Sequence, residues 1–228
     1  MPEIIDLSQE IYAGMPVFPG LPEVEITVHA SHEQWDGIAG SDVVSPAVNR
    51  LEMGEHTGTH VDAINHMARQ YRGRSIDTMP LTMFYTEGIC LDLSHKGLME
   101  LIEPDDLERA LTGQEIRRGD TVLLYTDHYR RAFGTDDWHK GPGVSVEAAR
   151  WLGRQGIAAF GVETASPGVR GVSNREVHHV CGEMGFTHYE NMINLDRLIG
   201  RGRFRFIGLP LRIRGGTGSP VRAVAVFE

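Results

Sequence analysis

His56-Thr57-Gly58-Thr59-His60-Val61-Asp62-Ala63-Ile64-Asn65-His66 packs three histidines and an aspartate into eleven positions. On a helix, His56 and His60 would share a face at i and i+4. Gly58 between two threonines, followed by Val61, argues instead for an extended or turning backbone. In a strand alternate side chains share a face, so His60 and Asp62 project together. Gly58 permits a turn that folds His56 back towards them. Two imidazoles and a carboxylate converging in this way suit a divalent transition metal such as Zn, Mn or Fe. His66, four residues beyond Asp62, reaches the same cavity and titrates near neutrality, which suits a proton shuttle.

Strand patterns surround this stretch. Ile4 to Leu7 reads as a short strand, and Val24, Ile26 and Val28 alternate as a strand with one buried face. Residues 31–46, with Trp35, read as loop. Residues 49–53, 57–63 and 87–93 read as strands. Pro104 opens a helix to about Leu111, with Gly113 to stop it. Thr121 to Tyr125 is a buried strand. Ser145 is a good N-cap for a helix ending near Gln155-Gly156. Ile157 to Val162 is a strand, and Asn174 caps a helix through Met184 that Gly185 stops. Residues 186–192 follow as a strand. Residues 203–214 and 221–227 form a terminal pair joined by the glycine-rich turn 215–220. Strands outnumber helices and the two are interspersed. The expectation is an α/β fold, one domain over residues 1–228, with a mixed sheet or barrel-like β core and surrounding helices.

A second cluster follows that helix, as His178-His179 and then Thr187-His188-Tyr189-Glu190-Asn191-Met192. If 186–192 is extended, His188 and Glu190 face one side. Glu190 can then ligate a metal, and His178 can meet it across the Gly185 turn. Alone, this cluster reads as a surface histidine beside a structural Glu–His hydrogen bond. With the first cluster the donors become His56, His60, Asp62, His178 and Glu190, enough for two ions bridged by Asp62.

The formal charge of −9 disfavours phosphate backbones and anionic lipid, so neither nucleic acid nor membrane is an expected partner. No window approaches the roughly 20 apolar residues of a bilayer span. Two cysteines, Cys90 and Cys181, suit a reducing compartment, and the expected location is cytoplasmic. Trp35, Phe18 and Tyr189 read as packing, with stacking on an aromatic substrate as the alternative. Arg170 and Arg175 read as solvated loop charges, with a hold on a substrate carboxylate as the alternative.

The run from His56 to Ala63 with His66 resembles the signature of the cyclase-family metal-dependent hydrolases, which include bacterial kynurenine formamidase and isatin hydrolase. The resemblance spans nearly the whole chain. It includes Ile5-Asp6-Leu7-Ser8, Gly14-Met15-Pro16, Gly161-Val162-Glu163-Thr164, the spacing of His178 to Glu190-Asn191, and Gly216 to Arg222. The chain departs from the family pattern in lacking a proline between Asp62 and His66, and in having Glu163 for the usual Asp.

The resemblance implies a swivelling β/β/α fold and a homodimer or homotetramer. It implies one or two Zn or Mn ions, with His56, His60 and Asp62 as principal ligands and His178 and Glu190 completing a second site. His66 would be the catalytic acid/base. The expected activity is hydrolysis of a carbon–nitrogen bond (amide, N-formyl or cyclic amide) in a small molecule with an aromatic or cyclic amide group. Two rivals compete. A non-haem Fe(II) oxygenase would use His60-Val61-Asp62 with His178 or His188, but leaves His56 and His66 unexplained and fits poorly with the helices. A metal-stabilised binding domain would hold its ion in a closed site.

Overall fold

The computed structural model describes residues 2–39 and 45–228. In chain order its first strands are β1 (Glu3–Asp6), β2 (Glu25–Ala30), β3 (Val48–Glu52), β4 (His60–Asp62) and β5 (Tyr85–Asp92). Then come β6 (Leu101–Ile102), β7 (Thr121–Tyr125), β8 (Gly143–Val144) and β9 (Ala159–Val162). The last are β10 (Thr187–Glu190), β11 (Phe204–Ile207), β12 (Gly218–Pro220) and β13 (Val224–Phe227). The helices are α1 (His32–Ala39), α2 (Ile64–Met67), α3 (Pro104–Ala110), α4 (His128–Ala132), α5 (Val146–Arg154) and α6 (Asn174–Met184).

Nine strands make one mixed sheet in the order β1-β13-β11-β5-β7-β9-β10-β4-β12. Its centre, β5-β7-β9-β10, is parallel, and both flanks are antiparallel. Parallel neighbours need crossovers, and α3, α5 and α6 lie along them. Side-chain alternation divides the apolar residues between two cores. Ile89, Leu91, Val122, Leu124, Phe160 and Val162 pack with Leu152 of α5 and Val177 of α6. Cys90, Leu123 and Ala159 join Ile5, Val61, Tyr189 and Phe206 on the other face. Burial on both faces explains why these strands are near-continuous apolar runs.

The sheet curls into a half-barrel. Ser8, just past β1, bridges Met192, just past β10, and the Val221 N–H donates to the Thr59 carbonyl at 3.0 Å. This matches the expected α/β class with a barrel-like mixed sheet.

Three local expectations need correction. The alternation at Val24, Ile26 and Val28 does not mark a strand with one buried face, since Val24 is buried but precedes β2, while Ile26 and Val28 within it are exposed. β2 and β3 pair with each other outside the main sheet, leaving Val28 68% and Leu51 50% exposed. The described part of the expected loop at 31–46 contains α1. Its start carries a reciprocal cap, with the Ser31 N–H donating to Gln34 Oε1 at 2.7 Å and the Gln34 N–H to Ser31 Oγ at 3.4 Å. The segment 215–220 is not a simple turn, because β12 leaves the terminal pair to join β4.

Candidate metal centre

β4 lies between β10 and β12, and its register assembles the cluster. Glu190 stands directly across from His60, and Gly218 stands across from Asp62. A Cβ at Gly218 would come within 2.7 Å of His56 Cε1, so a side chain there would displace that ring. Gly58 has φ +58°, the left-handed turn that returns His56 to the strand. Its carbonyl accepts from His60 Nδ1 at 2.9 Å and from Asn191 Nδ2 at 3.0 Å. Helix α6 brings in His178, and the Gly185 turn, at φ +81°, returns the chain as β10 with His188 and Glu190 on one face.

Asp62 is the hub, 1% exposed. Its Oδ1 lies 2.7 Å from His56 Nδ1 and 3.4 Å from His60 Nε2. Its Oδ2 lies 3.2 Å from His188 Nε2 and 3.6 Å from the Nε2 atoms of both His66 and His178. Glu190 divides its oxygens in the same manner. Oε2 is 3.4 Å from His60 Nε2, while Oε1 is 3.2 Å from His188 Nε2 and 3.9 Å from His178 Nε2. Both carboxylates therefore face two groups of imidazoles.

Hydrogen bonds on the far sides of the rings orient them. His178 Nδ1 donates to the Asn174 carbonyl at 2.7 Å, and His60 Nδ1 to that of Gly58, which leaves each Nε2 as the free donor atom. The Thr217 hydroxyl donates to Glu55 Oε2 at 2.7 Å and accepts from His56 Nε2 at 3.0 Å. His56 Nε2 thus carries a proton, while Nδ1 faces Asp62, protonated in the charged ring and free to ligate once that second proton is lost.

The electrostatics are those of a ligand shell holding protons. Burial alone would raise the Asp62 pKa, but the charges of His188 and His56 and the close approach of the His178 and His188 Nε2 atoms hold it well below the carboxylate range. Burial opposes charge on His56 and His188, yet Asp62 outweighs it and raises both. His66 goes the other way. Its burial, reinforced by His56 and His178, outweighs Asp62 and lowers its pKa.

The donors fit a divalent cation. His60 Nε2 and both nitrogens of His188 are buried without a hydrogen-bond partner, an expensive state unless something else binds them. Two donors about 2.0–2.2 Å from one ion lie about 2.8–3.6 Å apart at tetrahedral or octahedral angles. Six of the separations above, from 3.2 to 3.6 Å, fall within that interval. Asp62, His178, His188 and Glu190 form one potential ligand group, and His56, Asp62 and His66 another.

All six expected site residues lie in this cluster. His66 is the most solvent-facing of them, with a 38% exposed side chain. Sequence reasoning left three contributors out of the hydrolase site. His188 stood two residues before Glu190, and their shared face was its signal. Glu55 and Thr217 carried no signal, because the hydroxyl arrives from a segment read as a turn. Phe18 does more than pack. It lines a cavity of about 170 Å³ over His56, His60, His66 and Glu190. A neighbouring cavity of about 610 Å³ shares Phe18 and Asn174 and is lined by Arg170 and Arg175. Tyr189 is core packing, its hydroxyl donating to the Gly208 carbonyl at 3.0 Å.

A curled α/β half-barrel with carboxylates and imidazoles gathered beside β4 defines a class of metal-dependent hydrolases. The family described as "Putative cyclase" matches residues 5–169, and the chain belongs to it. Kynurenine formamidase of Salinibacter ruber is 28% identical over 222 residues, covering 97% of this chain and 96% of that protein. Kynurenine formamidase of Paracidovorax citrulli is 30% identical over 220 residues, covering 96% and 94%. Isatin hydrolase A from Ralstonia solanacearum, 27% identical, superposes with a TM-score of 0.85 over 100% of this chain and 92% of its own. These relatives favour a hydrolase of carbon–nitrogen bonds over the oxygenase and over the non-catalytic domain. Among the described residues no helix is long and apolar enough to cross a membrane.

Proposed function

We propose that this chain hydrolyses an N-formyl or cyclic amide on a small aromatic molecule, of the N-formylkynurenine or isatin kind, with Zn or Mn as its cofactor. The observation that carries the reading is Asp62, a buried carboxylate whose two oxygens face separate sets of imidazoles. His56, His60 and Asp62 would hold one ion, and Asp62, His178 and Glu190 would hold a second. A bound divalent cation supplies Lewis acidity, lowering the pKa of water and polarising a carbonyl.

The remaining work falls to side chains. His66, lowered in pKa and facing the cavity, is neutral at pH 7 and takes the proton as water oxygen bonds to the carbonyl carbon. It then returns that proton to the nitrogen as the carbon–nitrogen bond breaks, leaving a carboxylic acid and an amine. Such a role is worth roughly 10²–10⁴ in rate. Phe18 offers a face for an aromatic ring, and Arg170 and Arg175 offer charge to a substrate carboxylate in the larger cavity.

Residues 1–228 act as one domain in this reading, in the cytoplasm and as a homodimer or homotetramer. The apolar side chains exposed on β2 and β3 support association. The test is metal analysis of the purified protein. N-formylkynurenine, isatin and several lactams and imides are then assayed with Zn and with Mn. A protein that carries and binds no divalent ion, or that turns over none of these amides, ends the reading.

A further inference from the structure

His188 takes no part in the scheme just given, yet it is the most completely buried ring in the cluster, 0% exposed. It stands on β10 in register with Phe160, its ring 5.6 Å from that phenyl and 4.8 Å, edge-on, from His178. A histidine kept there for packing alone would turn at least one nitrogen to a well-formed hydrogen bond, and neither nitrogen makes one, the Cys181 thiol beside the ring being only a weak polar neighbour. Nε2 is instead equidistant, at 3.2 Å, from Asp62 Oδ2 and Glu190 Oε1. Charge-assisted bonds to carboxylates run shorter, about 2.7–2.9 Å, and point at one oxygen. A nitrogen midway between two carboxylate oxygens, at the spacing of neighbouring ligands, has the placement of a metal donor.

We propose that His188 is the fourth protein ligand of the second cation, beside Asp62, His178 and Glu190. This inference rests on the reading of the centre as a cation site and deepens it. The four donor atoms lie within 4.8 Å of one another, a full tetrahedral set for a transition-metal ion of the zinc class. A cation with four protein ligands is closed and tightly held. The cavity is lined by His56, His60, Asp62, His178 and Glu190 but not by His188. His188 thus closes the second site from the side away from the cavity, whereas the first, with three protein ligands, keeps positions for water and substrate. The two ions therefore have different duties and unequal affinities, the inner one tight and positioning, the outer one exchangeable.

The experiment titrates chelator-treated protein with Zn²⁺ or Co²⁺, following stoichiometry by calorimetry and by Co²⁺ absorption. Parent, His188→Leu and His188→Gln are compared, with circular dichroism as the check on folding. The parent is expected to bind two ions in separate steps. Both variants are expected to weaken the tighter step by at least about 100-fold, the upper end of what loss of an outer-sphere partner costs. The weaker step should hold within about threefold. Folded variants that bind both ions as the parent does overturn the inference and leave the hydrolase reading standing. A parent that binds no divalent ion overturns both. Should neither variant fold, NMR of the unmutated chain loaded with cadmium decides. Coupling between the metal and His188 Nε2 upholds the inference, and coupling to His178 without His188 overturns it.

Discussion

Glu163 shows how a single buried carboxyl can set the pH response of stability. Its Oε2 accepts from the Thr126 N–H at 2.7 Å, the Thr126 hydroxyl at 2.9 Å and the His128 N–H at 3.3 Å. Burial prevails over those bonds and pushes its pKa from 4.5 up to about 7. A carboxyl raised in the folded state adds stability that is fully present below 4.5 and is lost as pH rises through about 7. At about 1.36 kcal/mol per pH unit, the loss is about 3 kcal/mol. Glutamine keeps an acceptor for Thr126 but cannot ionise. The unfolding free energy of Glu163→Gln relative to the parent should therefore rise by about 3 kcal/mol between pH 4.5 and pH 8. Urea titrations at both pH values measure it, and an unchanged difference would refute it. His60 and His66 separate in another way. His60 offers a buried, unpartnered nitrogen, so His60→Ala should lose metal. His66 faces the cavity, so His66→Ala should keep metal while kcat falls roughly 10²–10⁴-fold. Metal content and turnover measured on the same samples decide it, and a fully active His66→Ala protein removes that residue from the chemistry.

At the scale of elements, the turn at Gly185 joins the helix of His178 to the strand of His188 and Glu190. Its φ is +81°, and a Cβ there would meet nothing closer than Arg74 Nη2 at 3.9 Å. The cost of Gly185→Ala is therefore conformational and not steric, roughly 1–2 kcal/mol, and Gly185→Asn should cost less. A urea midpoint for alanine equal to the parent's would contradict this. The same turn was legible beforehand, because glycine after a periodic helix has one common use. The strands β5, β7 and β9 were legible for a related reason, since burial on both faces demands long apolar runs. The gathering of His56, His60 and Asp62 could be inferred because all three lie on one short strand and its turn. What stayed hidden depends on partners distant in sequence. Alternation in β2 reports residue type and not which surface covers it. The three residues of β12 are too few for a pattern, and only pairing with β4 brings Thr217 to His56. His188 shows its face with Glu190 in sequence, but its unpartnered nitrogens appear only in three dimensions.

Across the whole molecule, the centre joins segments that the chain keeps far apart. Residues 55–66 supply β4 and its turn, 174–190 supply α6 and β10, and Thr217 comes from the C-terminal part. An ion that binds this assembly and not the unfolded chain stabilises it by mass action, about 2.7 kcal/mol at a free concentration 100 times Kd. Chelation should accordingly lower the melting temperature, and added Zn or Mn should restore it. The size of that effect depends on pH in a direction the cluster dictates. Without an ion, protons on His56 and His188 balance Asp62, and both pKa values are raised above 6.5. Their contribution is complete below 6.5 and disappears as pH rises through the raised values. Asp62, held well below 3.8, stays ionised throughout and contributes no slope there. The metal-free protein should thus lose stability with rising pH above 6.5, over the range in which imidazoles become free to ligate. Ion and protons compete for the same nitrogens, so the stabilisation by metal should grow with pH and binding should release protons. Calorimetry in buffers of different ionisation enthalpy measures that release. Binding with no proton release near pH 7, or metal stabilisation that shrinks as pH rises, would mean that the imidazoles around Asp62 are not where the cation goes.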